Sequence, residues 1–112
     1  MIQTGYFAKY KGSNGVAICL YPPKWFKGDV YPQLAPTRRL LEWYKSSAQD
    51  EKAQDIYRRI YYRDVLNHLN PEAVYRALDG KVLLCYEKSG DFCHRHLVSE
   101  WLNANGYECK EI

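Results

Sequence analysis

Uninterrupted apolar runs and stripes at helical spacing divide this chain. Val16-Ala17-Ile18-Cys19-Leu20 and Val82-Leu83-Leu84-Cys85-Tyr86 are apolar without a break. Runs of that length without alternation suit strands covered on both faces. Gly5-Tyr6-Phe7-Ala8-Lys9-Tyr10 reads as a further strand, and Tyr107 to Ile112 as a terminal one. Between the first two strands, Lys11 to Gly15 is a turn, since Asn14-Gly15 favours positive φ. Helical spacing appears elsewhere. Leu40, Leu41 and Tyr44 share a face of a first helix, opened by Ala35-Pro36-Thr37. Proline is tolerated there because its missing N–H would be unpaired anyway. A second helix is expected from Asp50 to Leu69, with Asp50 as its cap. Its stripe is Ala53, Ile56, Tyr57, Ile60, Tyr61, Val65 and Leu69. Asn70-Pro71-Glu72 starts a short third helix through Leu78, stopped by Asp79-Gly80. A last helix covers Phe92 to Asn105. The stretch from Tyr21 to Pro36 is a long loop holding four of the five prolines, with Trp25 and Phe26 inside it. Such loops are more often functional or packed than passive.

Strands interrupted by helices predict an α/β fold. We expect a small three-layer sandwich, with a short, mostly parallel sheet, helices on both faces and a right-handed crossover between the central strands. The 112 residues make a single domain, residues 1–112, long enough to bury a core unaided. A 46% hydrophobic content argues against disorder. The net charge of +3 is only a mild basic bias, short of the stripe that a committed nucleic-acid binder carries. No segment approaches 18 consecutive apolar residues, so no membrane span is expected. Met1-Ile2-Gln3-Thr4-Gly5 lacks the basic and apolar regions of a secretory leader, so a cytoplasmic location with reduced thiols is expected. Cys19, Cys85 and Cys109 lie in apolar strand-like runs, where cysteine acts as a small hydrophobe. Cys93 does not.

The chemistry concentrates on the last strand–loop–helix unit, Leu83 to His96. Ligands of open α/β sheets bind beyond the carboxyl ends of the strands, which puts Glu87 and the start of the last helix at the mouth of the sheet. Helix N-termini offer free N–H groups and partial positive charge. With Cys93 in that first turn, and His94 and Arg95 beside it, the thiol ionises more easily. Helical spacing aligns Cys93 with Leu97 and Trp101, and His94 with Leu97, Val98, Trp101 and Leu102. His96 aligns with Ser99, Glu100 and Asn103, the solvent face, and is left out of the site. Four readings stay open. Cys93 is a nucleophile with Arg95 gripping a phosphate or carboxylate. Cys85, Cys93 and His94, with Glu87, hold a metal, although the Cys-x7-Cys-His spacing matches no common zinc pattern. Cys85 and Cys93 form a redox pair, if their Cα atoms lie within about 7 Å. Or Cys93 is a core filler, His94 a hydrogen-bonded core residue and Arg95 the partner of Glu87.

At these residues the chain resembles the domain of unknown function 488 family. The resemblance is carried by Leu83-Leu84-Cys85-Tyr86-Glu87, Phe92-Cys93-His94-Arg95-His96-Leu97 and Glu100-Trp101-Leu102. It extends upstream to Leu34-Ala35-Pro36 leading into Leu40-Leu41 and Tyr44-Lys45, and to Val16-Ala17-Ile18 with Pro23-x-Trp25-Phe26. It implies an α/β fold, a bacterial, archaeal or phage cytoplasmic protein, and a motif made of Cys85, Glu87, Cys93, His94 and Arg95. It implies no reaction.

The candidate catalytic residues are therefore Cys93, His94 and Glu87. The candidate ligand-binding residues are Arg95, Cys85 and Trp25, with Trp25 as a lid or stacking surface; no metal ligand is assigned. The expected partner is an anionic small molecule or nucleic acid, and no cofactor is named; the alternative is a non-enzymatic module that binds nucleic acid or a protein partner. Arg58, Arg59, Tyr62 and Arg63, with Arg38 and Arg39, are a weaker candidate patch for nucleic acid, since Asp55–Arg59 is an i,i+4 pair on a solvated face. No Walker loop, dinucleotide fingerprint, nucleophile-elbow serine or His-Glu-x-x-His motif is present.

Overall fold

The run Val82–Cys85 is buried at every position and is the central strand of the sheet. The computed structural model describes residues 1–112. Its strands are β1 (Ile2–Tyr6), β2 (Gly15–Ala17), β3 (Asp29–Val30), β4 (Val82–Cys85) and β5 (Cys109–Glu111). The helices are α1 (Arg38–Ser46), α2 (Glu51–Asp64), α3 (Pro71–Leu78) and α4 (His94–Ala104). The sheet order is β3-β2-β4-β1-β5, and every pairing is parallel. The α/β class and the parallel sheet are as the sequence predicts.

The covering of the two faces differs from that prediction. All four helices contribute to one core, with Ile2, Val16, Ile18, Leu83 and Cys109 from the sheet. On the other face, Ala17, Val82 and Leu84 are covered by Phe7, Tyr10, Phe26 and Ile112, none of them helical. The third layer is made of loops where helices were expected. Handedness explains the division. The connections β3→β4 and β4→β5 run one way across the sheet, and β1→β2 and β2→β3 run the other way. Right-handed crossovers put the two sets on opposite faces. The segments joining β1 to β2 and β2 to β3 hold no helix.

Local boundaries follow hydrogen-bond supply. β1 starts at Ile2, upstream of the expected Gly5–Tyr10 strand. The Phe7 N–H still reaches the Cys85 carbonyl at 3.0 Å. There β4 ends, and the chain turns, with the amides of Lys9 and Tyr10 both on the Tyr6 carbonyl. The expected helix to Leu69 stops at Asp64, because Val65 leaves helical geometry (φ −121°, ψ −71°) and a single 3₁₀ turn, Leu66–His68, follows. The cap expected at Asp50 is present, whereas the first helix begins at Arg38, so Pro36 lies outside it and not in its first turn. Asp50 accepts from the Ala53 amide at 2.9 Å, Thr37 caps α1, and Asn70 caps α3. Gly80, at φ 83°, supplies the left-handed residue after α3.

Leu83 is fully buried between β1 and β2, opposite Thr4 and Val16. Truncating it removes apolar contact and leaves a cavity. Leu83→Ala is expected to cost about 2–5 kcal/mol in urea unfolding. A loss under 1 kcal/mol would contradict the central position given to β4.

Candidate functional site

The connections after β2 and β4 leave toward opposite faces, so a crevice opens at the carboxyl ends of these neighbours, the usual place for a ligand in such a sheet. The crevice is a cavity of about 300 Å³. Cys19 follows β2, Cys85 and Glu87 end β4, and Cys93 and His94 begin α4; all five line the cavity. Leu41, Tyr44 and Lys45 of α1 and Tyr57 of α2 form the helical wall, with Phe92. Phe92 packs edge-on to Tyr57 and tilted against Tyr44, with ring centroids 5.2 and 5.5 Å apart.

His94 is buried, and its position is fixed from both sides. Its Nε2 lies 2.7 Å from the carbonyl oxygen of Ile18 at the end of β2. A carbonyl can only accept, so Nε2 carries the proton, and in the neutral ring Nδ1 is a bare acceptor. Nδ1 lies 3.8 Å from both Cys85 Sγ and Cys93 Sγ. The Cys85 thiol also reaches Glu87 Oε2 at 3.4 Å. Tyr61 meets the ring edge-on, and its hydroxyl donates to the Leu34 carbonyl.

The two thiols differ in their ionisation. Burial opposes charge on Cys93, but hydrogen bonds from Cys85 and His94, and the charge of His94, outweigh it and hold the thiol well below its ordinary value. Burial likewise opposes protonation of His94; its bond to Cys93 and the thiolate's charge reverse the sign, and its pKa rises. Cys85 is pushed far up by its contacts with Cys19 and Cys93, then by burial, so it stays a thiol. Burial and the nearby Cys93 charge raise the Glu87 carboxyl. The favoured charge state is a Cys93 thiolate beside a His94 imidazolium, with a neutral Cys85 donor.

Of the residues singled out from the sequence, Cys85, Glu87, Cys93 and His94 meet in this cavity. Cys93 is not in the first turn of α4, as expected, but is its N-cap, with extended backbone (φ −156°, ψ 146°). Arg95 does not line the cavity. It is fully buried, with Nε and Nη2 on the two carboxylate oxygens of Glu111 at 3.2 and 2.9 Å. Its carboxylate partner is thus on β5 and is not Glu87. Trp25 does not reach the cavity either. It is 64% exposed and packs on Phe7 in the loop layer, so it neither covers nor stacks over Cys93. His96 is half-buried, turned toward Glu111 and away from the expected solvent face, with Nδ1 at 3.9 Å from Oε1. Cys19 joins the cavity, although its apolar run had marked it as filler. Tyr44, Tyr57 and Lys45 were also missed, because only the tertiary fold brings α1 and α2 over β4. Cys85 Sγ, Cys93 Sγ and His94 Nδ1 lie within 4.8 Å of one another, the set that would hold a thiophilic metal ion.

Four of the five arginines of the candidate patch are ion-paired: Arg38 with Glu42, Arg58 with Glu100, Arg59 with Asp55 and Arg63 with Asp64. No helix is long and apolar enough to cross a membrane.

These features define an α/β protein with a histidine–thiol cluster at the carboxyl edge of a parallel sheet. Residues 11–106 match the family model DUF488-N3a, the active DUF488-N3 subclade, and the chain belongs to that family. No curated protein and no solved structure matches it.

Glu111 is the second electrostatic centre. It accepts from Thr4 Oγ1 at 2.6 Å and Ser89 Oγ at 2.7 Å as well as from Arg95. Burial alone would raise its carboxyl, but the bonds from Arg95, Thr4 and Ser89 bring it down from 4.5 to about 2. A carboxylate depressed on folding adds stability above its unfolded pKa and loses it as pH falls through the folded one. Urea unfolding is therefore expected to weaken between about pH 5 and 2, by at most about 3 kcal/mol from this group. In Glu111→Gln that component should vanish, with lower stability at pH 7 because Arg95 is left buried without a counter-charge. An unchanged acid dependence in the variant would refute the assignment.

Proposed function

We propose that this protein is a cysteine-dependent enzyme in which Cys93 attacks an electrophilic centre of a small substrate. The observation that supports this best is the 2.7 Å contact between His94 Nε2 and the Ile18 carbonyl, because it leaves Nδ1 bare and facing the thiols. A histidine held in that tautomer accepts the Cys93 proton and returns it to a leaving group. Cys85, kept protonated, holds its thiol within 4.8 Å of the Cys93 sulfur. Glu87, whose carboxyl is pushed up by burial, is suited to act as a general acid at the cavity mouth. Lys45 is the lysine of the cavity wall and supplies attraction for an anionic group on the substrate, beside the aromatic surface of Tyr44, Tyr57 and Phe92. In this reading Arg95 supports the site from below, through Glu111, and does not bind ligand. Free thiols in this cluster fit a reducing compartment such as the cytoplasm. The charges on α1 and α2 give nucleic acid no comparable support, since four of those arginines already have carboxylate partners.

The test is the pH dependence of Cys93 alkylation by iodoacetamide, followed by peptide mass spectrometry. Cys93 should react with an apparent pKa well below the free-thiol value of about 8.5. His94→Ala should move that value up and slow the reaction at neutral pH. An apparent pKa at or above about 8.5 in the native protein would rule out the nucleophile. Stoichiometric zinc retained by the purified protein would replace this reading with a metal centre.

A further inference from the structure

Cys85 and Cys19 are not needed as nucleophiles, yet both line the same cavity as Cys93. The Cys85 and Cys93 sulfurs lie within 4.8 Å of each other, and the Cys85 thiol faces the same imidazole nitrogen at the same 3.8 Å. β4 presents Cys85 from its end, and the N-cap position of α4 presents Cys93 across the crevice. Two sulfurs this close, both facing one imidazole nitrogen from different elements, are placed as an attacking and a resolving cysteine are. Cys109 is remote from this group: it sits on β5 in the helical core, with its carbonyl bonded to Ser99 and Asn103.

We propose that Cys85 is the resolving thiol of Cys93 and that the site reduces small organic or inorganic hydroperoxides. The inference rests on the reading of Cys93 as a thiolate nucleophile. The Cys93 sulfur attacks the terminal oxygen of ROOH. The O–O bond breaks, the His94 imidazolium protonates the departing alkoxide, and Cys93 becomes a sulfenic acid, with ROH released. The Cys85 sulfur then attacks the Cys93 sulfur. The S–S bond forms, the S–O bond breaks, and the hydroxide leaves as water with the Cys85 proton, passed through His94 Nδ1. The peroxide has taken two electrons, and the two thiols have become one disulfide. Two thiol equivalents from a low-molecular-weight thiol reductant restore the pair. Cys19, only partly buried and lining the same cavity, is the cysteine most open to such a reductant.

The experiment treats the reduced full-length protein with one equivalent of hydrogen peroxide or cumene hydroperoxide. The reaction is quenched with N-ethylmaleimide, and disulfides are mapped by peptide mass spectrometry. The expected result is a Cys85–Cys93 linkage, with Cys19 and Cys109 still alkylated, reversed by dithiothreitol. In Cys85→Ser and Cys85→Ala the sulfenic acid of Cys93 should accumulate and be trapped by dimedone. The mapping on the unsubstituted protein stands even if both variants fail to fold. Absence of the linkage, or linkage of Cys93 to Cys19 or Cys109 in its place, would overturn the proposal. The two readings separate cleanly. A low apparent pKa for Cys93 alkylation without a Cys85–Cys93 disulfide removes only the peroxidase inference. A high apparent pKa removes both.

Discussion

One hydrogen bond holds the site in its working form: the His94 Nε2 proton on the Ile18 carbonyl. It ties the end of β2 to the start of α4, two elements 76 residues apart in sequence. Ile18 lies just past the ladder, and its own amide is still held by the Leu84 carbonyl at 3.1 Å. The acceptor is therefore part of the sheet and cannot swing away. Because the bond consumes Nε2, the imidazole has one free nitrogen, and the fold aims it at two thiols. Without that bond, the other tautomer would present an N–H to the sulfurs, and neither thiol could pass its proton to the ring. The backbone carbonyl decides which ring nitrogen faces the sulfurs, and the paired charges of Cys93 and His94 then decide the ionisation.

The position of that carbonyl depends in turn on the one-sided packing of the sheet. Right-handed crossovers send α1 to α4 to one face, so α4 must begin at the carboxyl edge, beside the ends of β2 and β4. Tyr61, fully buried on α2, closes the back of the histidine and spends its own hydroxyl on the Leu34 carbonyl. That leaves no competing donor for His94 Nδ1. The opposite face needs no helix because two short connections carry enough aromatic surface, Phe7, Tyr10 and Phe26, to cover Ala17, Val82 and Leu84. Trp25 belongs to that layer. Its exposure reflects the shallow cover that a loop gives, and its ring is spent on Phe7.

The local features were the legible ones. The cap at Asp50, the start of the third helix at Asn70-Pro71, the central strand Val82–Cys85, and the convergence of Cys85, Glu87, Cys93 and His94 follow from spacing over a few residues. What spacing could not carry was pairing across the chain. Arg95 looked like an anion ligand because its partner is Glu111, 16 residues on, in a strand of three residues with no strong pattern. The same pairing turned His96 inward. Cys19 looked like filler because an uninterrupted apolar run does not say where its last residue points once the strand ends at Ala17. The boundary of α4 was off by two residues, and that small shift changes the role of Cys93. As N-cap it is extended and displayed toward the crevice; inside the first turn it would have been drawn against Leu97.

The two ionic centres, Cys93–His94 and Arg95–Glu111, are adjacent in sequence yet serve different ends. A buried arginine costs several kcal/mol unless its charge is met, and Glu111 meets it with two bonds. The same carboxylate holds Ser89, in the loop that carries Glu87, and Thr4, on the strand beside β4. Glu111 thus fixes the loop on one side of the cavity while Ile18 fixes the histidine on the other. The positive charge of Arg95 also favours negative charge on Cys93 and Cys85, as their mutual effect on its pKa reflects. Since Cys85 is held protonated by its neighbouring sulfurs, that field acts on Cys93 alone. The result is an asymmetric pair of thiols, built from one backbone carbonyl, one buried ion pair and a difference of position between a strand end and a helix cap.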